Sequence, residues 1–272
     1  MEASGKSGTI EAGGRRFAWR SLGAGRPLLL VNGYAATSAD WDPAMLEALG
    51  RSFEVICPDN RGVGGSELGE GRLTVDGMAA DLEALLDDLG LERVPVVGWS
   101  MGGFVAQRLA ERSPGRVEAL ALLSTDPGGG EAVPADPEAW TRLVDHSGTA
   151  REQATRLISL LFPPALAPEI DRRFGEVVAA ARAELSPRAL RAQEEAMEAW
   201  RAEERDSPHG DSPPVLIAHG SEDAVIPAVN AKRLAARWPG ARVEVFAGGG
   251  HAFMAQEPRR VAELLTAFLV RG

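Results

Sequence analysis

Short apolar runs alternate with segments of helical periodicity through the first half of the chain. Pro27–Val31, Phe53–Ile56, Val94–Val97 and Val117–Leu123 are almost wholly apolar. A strand with one face in water alternates apolar and polar residues. A strand covered on both faces does not, so these runs read as inner strands of a parallel sheet. Between them, Thr74–Leu89 sets Val75, Met78, Leu82, Leu85, Leu86 and Leu89 at helical spacing and stops at Gly90. A further helix runs through Phe104–Ala110 and is closed by Pro114-Gly115. Residues 9–21 read as a hairpin turning at Gly13-Gly14. Pro95 is discordant: it offers no backbone donor, so it belongs at the first residue of its strand or at a bulge.

The pattern changes at Asp126. Pro127-Gly128-Gly129-Gly130 breaks the chain, and helices are expected over 137–146, 150–162, 166–185 and 187–204 with no strand among them. Strands return at Val215–Ala218 and Val243–Phe246, around a helix at 228–237, and a last helix covers 258–270. Alternation of strand and helix gives an α/β layered fold. The expected organisation is an α/β core formed by residues 1–126 and 212–272, interrupted by a helical unit over 127–211.

Composition narrows the function. The chain of 272 residues can bury a sizeable core, and 44% hydrophobic with 25% charged residues is ordinary for a globular protein. A net charge of -10 argues against nucleic acid, whose phosphates need a basic face. The single cysteine, Cys57, follows the apolar run at 53–56 and reads as a buried thiol, with no intrachain disulfide to form. Met1–Gly8 lacks the apolar stretch of a secretory signal, and no run reaches the length of a membrane span. The reading is a cytoplasmic protein without a membrane partner.

The sharpest chemical signal is Gly98-Trp99-Ser100-Met101-Gly102-Gly103. It matches G-x-S-x-G between a buried strand and a helix, where the tight turn lifts a serine hydroxyl above the carboxyl end of the sheet. The amides that open the following helix point toward that hydroxyl. A serine needs a base at neutral pH. Of the four histidines, His146 lies in the helical unit, His209 in a polar linker, His219 directly after the strand at 215–218, and His251 after Gly248-Gly249-Gly250. The partners of such a serine follow in the order Ser, acid, His, and only His251 leaves room for an acid on a preceding strand end. Asp223, in Gly220-Ser221-Glu222-Asp223, is the preferred acid, with Glu222 and Asp126 as alternatives. The glycines of Asp59–Ser66 fit no nucleotide fingerprint.

Asn32-Gly33 after an early strand, Asp59-Asn60-Arg61-Gly62-Val63-Gly64-Gly65-Ser66, the turn at Ser100, Gly220-Ser221-Glu222-Asp223 and Gly250-His251 occur in this order over nearly the whole chain. In these features the chain resembles the α/β-hydrolase superfamily, in its helical-capped carboxylesterase and enol-lactonase subgroup. The resemblance implies a mostly parallel eight-stranded sheet flanked by helices, with a helical cap, or lid, inserted after strand 6. It implies an oxyanion hole from the backbone N–H groups of Tyr34 and Met101, and it makes the Asp59–Ser66 loop structural, pinned by Asp59 and Arg61. The chain departs from the family in having Asn32 where His-Gly is usual, which puts the packing of that loop in question but not the Tyr34 amide. The substrate pocket is expected around Tyr34, Trp99, Leu161 and Phe162, with Ile158 and Leu160 extending the apolar wall. Arginines of the insert, Arg156 and Arg182 among them, either meet an anionic group or lie in solvent.

The activity so implied is hydrolysis of a small, partly apolar carboxylic ester or lactone through an acyl-enzyme, with no cofactor and no metal. Homo-oligomerisation is left open. Some relatives with this triad act as cofactor-free haloperoxidases, perhydrolases or carbon–carbon bond hydrolases, and some serve as small-molecule receptors. Epoxide hydrolases and dehalogenases carry aspartate where Ser100 stands and are disfavoured.

Overall fold

The computed structural model describes residues 5–205, 208 and 212–270. Eight strands form one sheet: β1 (Lys6–Glu11), β2 (Arg16–Gly23), β3 (Arg26–Val31), β4 (Phe53–Pro58), β5 (Val94–Trp99), β6 (Val117–Leu123), β7 (Val215–Gly220) and β8 (Arg242–Phe246). Their order across the sheet is β1-β2-β4-β3-β5-β6-β7-β8. The hairpin β1/β2 and the β2/β4 pair are antiparallel, and every pairing from β4 through β3 to β8 is parallel. The result is the α/β layering that the strand–helix alternation called for, in the mostly parallel eight-stranded form that the resemblance implied.

The continuous apolar runs have a simple cause. In β3, Leu29 and Val31 enter one core while Leu28 and Leu30 enter the other. In β6, Leu120 and Leu122 face the first side and Ala119, Ala121 and Leu123 the second. Both faces are dry, so the two-residue alternation of a strand sorts apolar side chains between two cores instead of between core and water. Helices α2 (Val75–Asp88) and α3 (Met101–Arg112) pack on the first side, and α1 (Pro43–Leu49) lies on the other. Pro95 sits where the register of β5 against β6 shifts, between Val94 and Val96, so its missing donor falls at an irregularity.

Four helices separate β6 from β7: α4 (Pro137–Leu143), α5 (Ala150–Leu161), α6 (Ala167–Ala183) and α7 (Pro187–Ala202). No strand occurs among the described residues of this segment. Helix α4 is shorter than its apolar spacing suggested. Asp145 Oδ1 accepts from the Ser147 amide at 2.9 Å, and the Asp145 and Ser147 carbonyls accept from Arg156, an arrangement that breaks the helix into a turn. The segment is fastened to the sheet at Asp126, whose fully buried carboxylate accepts from the Gly128 amide, Trp200 Nε1 and Arg201 Nε at 2.9, 3.2 and 3.2 Å. After β7 come α8 (Asn230–Arg237), α9 (Phe253–Gln256) and α10 (Pro258–Leu269), the last two closing the second core. No helix among the described residues is long and apolar enough to cross a membrane.

Candidate active site

Ser100 stands between β5 and α3 with φ 55° and ψ -122°, a conformation that side chains other than glycine rarely adopt. It is held there by its neighbours. Its amide donates to the Leu123 carbonyl at 3.0 Å, and its carbonyl accepts from the Gly103 amide and Thr125 Oγ1, each at 2.8 Å. The glycines around it are required by close approach. A Cβ on Gly102 would lie 2.3 Å from the Val31 carbonyl oxygen, and one on Gly98 would lie 2.4 Å from the Gly102 oxygen. Helix α3 therefore starts pressed against the ends of β3 and β5, which presents Ser100 above the sheet.

The loop after β3 lies against the serine: a Cβ on Gly33 would come 3.2 Å from Ser100 Cβ. Asn32 shapes this loop. Its Oδ1 accepts from the Gly33 amide at 3.0 Å, its Nδ2 donates to the Thr37 carbonyl at 2.5 Å, and its own carbonyl accepts from Asn60 Nδ2 at 2.8 Å. The side chain unusual for the family thus packs the loop from within. Gln193 of α7, buried, accepts from the Ala35 amide and donates to the Arg61 carbonyl, both at 2.9 Å. The amides of Tyr34 and Met101 make no hydrogen bond among the described residues. The Asp59–Ser66 loop is structural. Asp59 accepts from the Ser38 and Gly65 amides at 2.7 and 2.9 Å, and Arg61 pairs with the buried Asp81 of α2.

His251 Nδ1 lies 2.9 Å from each oxygen of Asp223. Asp223 Oδ1 also accepts from the Val225 and Ile226 amides at 2.9 and 2.8 Å. His219 Nε2 approaches Asp223 Oδ2 at 3.2 Å while meeting the Ile226 carbonyl at 2.8 Å. Burial works to raise the Asp223 pKa, but the charge of His251 and the bonds from both histidines overcome it and hold the carboxyl well below the usual range. Being ionised, Asp223 can only accept, so Nδ1 of His251 is the donor, and whenever the ring is neutral its lone pair lies on Nε2. Glu222 is exposed and its carboxylate has no partner among the described residues, and Asp126 is occupied by Trp200 and Arg201. His146 meets Glu194 instead, and His209 lies outside the described residues.

The loop of His251 is anchored from two directions. The Glu222 amide donates to the Gly249 carbonyl at 2.8 Å, tying it to the acid loop. The Ala252 amide donates to the Leu161 carbonyl at 3.0 Å, tying it to the end of α5. Gly250 permits this second contact, since a Cβ there would lie 2.5 Å from the Leu161 oxygen. Trp99 Nε1 donates to the His251 carbonyl at 3.1 Å.

Ser100 and His251 face one cavity of about 210 Å³, roofed by the helices between β6 and β7. Tyr34, Trp99, Leu161 and Phe162 all line it. Ile158 and Leu160 do not: they are buried in packing, with Leu160 in the first core. Sequence reasoning missed Trp140, Leu143, Leu157 and Arg201 as lining residues, and it missed Glu194, which accepts from Tyr34 Oη at 2.5 Å. The Ser100 hydroxyl has no hydrogen-bond partner among the described residues and opens into this space. Among the described residues, no group of three or more His, Cys, Asp and Glu side chains is placed to hold a metal ion.

Known proteins share this arrangement of elements. A family model described as alpha/beta hydrolase fold matches residues 26–258. A hydrolase from Pseudomonas aeruginosa superposes with a TM-score of 0.81 at 28% identity, covering 97% of this chain and 98% of that one. A thermophilic esterase from Thermogutta terrifontis gives 0.74 at 28% identity, with 98% of each chain covered. A non-heme haloperoxidase of Rhodococcus erythropolis is 37% identical over 116 residues, 42% of each chain.

Proposed function

The chain belongs to the alpha/beta hydrolase fold family, and from that premise we propose that it is a serine hydrolase of small carboxylic esters or lactones, with Ser100, His251 and Asp223 as its catalytic triad. The observation that carries this reading is the meeting, at one apolar cavity, of a serine on a positive-φ turn and a histidine bonded through Nδ1 to a buried, ionised aspartate.

His251 Nε2 takes the Ser100 proton as Oγ attacks the carbonyl carbon. The amides of Tyr34 and Met101 receive the developing oxyanion, and both are without a hydrogen bond among the described residues. His251 then passes its proton to the leaving alkoxide, and the alcohol departs. Water gives a proton to Nε2 and attacks the acyl-serine, and the second collapse returns the proton to Oγ and releases the acid. Asp223 fixes the ring and stabilises its charged form throughout. The helices between β6 and β7 serve as the cap that excludes bulk water and shapes the acyl site.

Similarity to the Rhodococcus haloperoxidase favours a second reading on the same residues, in which hydrogen peroxide replaces water and the product is a peracid. The experiment is turnover of a panel of aryl esters and lactones, with and without peroxide, by the protein and by Ser100→Ala. The variant is expected to keep its circular dichroism and lose hydrolysis. A folded Ser100→Ala protein with near-full turnover would sink the serine mechanism.

A further inference from the structure

Two arginines of the helical segment, Arg182 and Arg201, line the cavity, a third, Arg156, lies near enough for Arg182 to feel its charge, and the three charges are handled differently. Arg201 of α7 meets Asp126 Oδ2 through Nε at 3.2 Å and lies over Trp140 and Phe104 at 5.1 and 5.9 Å from the ring centres. Arg156 of α5 pairs with Asp145 at 3.4 Å and donates to two backbone carbonyls. Arg182, at the end of α6, has neither kind of partner. It is 8% exposed and lines the cavity, yet among the described residues it forms no salt bridge, its side chain finds only the Tyr34 hydroxyl, and its Nε is enclosed without an acceptor.

The carboxylate that Arg182 feels is Glu194, which lies beyond salt-bridge distance and is already engaged by Tyr34 Oη at 2.5 Å and His146 Nε2 at 2.6 Å. Tyr34 cannot supply the missing charge, because burial and the neighbouring Glu194 push its phenol well above the usual range and keep it neutral. Burial draws the Arg182 pKa down, but an arginine stays protonated at working pH. A buried guanidinium with five donors and no anion is unfavourable unless something completes it. The surroundings say what that is. Leu143, Leu157, Val178 and Leu185 leave an apolar path on the wall that Arg182 shares with Ser100. The net charge of -10 gives no general attraction for anions, so selection of one must come from a local site.

We propose that Arg182 is the binding site for a carboxylate carried by the substrate, so that the natural ester or lactone is anionic, its free acid separated from the scissile carbonyl by an apolar spacer. The planar fork of a guanidinium matches the two oxygens of a carboxylate. This inference rests on the hydrolase reading for the word substrate, but the anion site itself does not require turnover.

The test compares mono-aryl esters of glutaric, adipic and pimelic acids with the same esters methyl-capped at the free acid. The wild-type protein is expected to prefer the free acid at one chain length, by ~10–100-fold in kcat/KM. Arg182→Met is expected to lower that ratio at least tenfold (~10-fold or more), and Arg182→Lys, which keeps the charge but not the fork, to retain part of it. No preference at any chain length, or a ratio unchanged in Arg182→Met, overturns the proposal. Calorimetric binding of adipate to the Ser100→Ala protein gives a second reading that needs no chemistry. Saturable, salt-sensitive binding lost in Arg182→Met supports the site, and its absence for all three diacids overturns it. Ester turnover without carboxylate preference removes the anion site and leaves the hydrolase. Diacid binding by a protein inert to every ester removes the hydrolase and leaves the anion site.

Discussion

Asp223 gathers His251, His219 and two backbone amides around one carboxylate, and this environment makes distinct predictions for its neighbours. His251→Ala should lower kcat by ~10³-fold or more, since no other described histidine lines the cavity beside Ser100. His219→Ala should cost far less, because His219 acts only through Asp223, 3.2 Å away. Equal losses in the two variants, measured on one aryl ester, would mean the base is wrongly assigned. Asp223 also ties stability to pH. Its folded pKa is depressed, so its contribution is fully present above the unfolded value of about 4 and is lost as pH falls through the folded one. The stability gap between wild type and Asp223→Asn should therefore be constant from neutral pH down to about 5 and shrink below about 4. Urea titrations at both ends of that range check it. Cys57 is the opposite case. Burial pushes its thiol up to about 12, so it should resist alkylation in the folded protein at pH 8 and react only on unfolding.

At the scale of elements, much was legible because strand–turn–helix units announce themselves by a change of period. The buried strands at 94–99 and 117–123, and the glycines around Ser100, follow from the apolar runs and the G-x-S-x-G spacing. Helix α1 was not read, although Asp42 caps it by accepting from the Ala44 and Met45 amides with Pro43 at its first turn. Seven residues are too few to display a helical period against a strand background. Gln193 did leave a mark: it stands on the buried stripe formed by Leu190, Ala196, Met197 and Trp200, where a polar residue signals a buried hydrogen bond. Arg182 was read only as meeting an anion or lying in solvent, and Glu194 left no mark, since a charged residue on a helix looks the same whether it faces solvent or a cavity. The elbow carries a prediction at this scale. Gly102→Ala should destabilise the protein by about 2 kcal/mol or more, because the new methyl meets backbone of β3. Gly115→Ala, which meets nothing within 4 Å, should be close to neutral. Urea midpoints of the two variants decide it.

Over the whole molecule, the side chains proposed for the chemistry come from the sheet and most of the apolar roof from the helices between β6 and β7. Selectivity should therefore be separable from reactivity. Leu161→Ala should change the ratio of activities on short and long acyl esters, with about 1–3 kcal/mol at stake per methylene, and leave the pH profile in place. A uniform loss across chain lengths, or a moved profile, would count against the roof as the selective element. The bond between the Ala252 amide and the Leu161 carbonyl sets a limit on that separation. The same peptide that ends α5 in the roof braces the loop bearing His251. A swing of α5 wide enough to admit a bulky ligand would break this brace and let the imidazole drift from Asp223. Wide opening and a cocked base are then alternative states, and ligand exchange by large motion would carry its own safety catch. Hydrogen exchange at the Ala252 amide should quicken whenever the gate stands open, and slow when a ligand holds it shut.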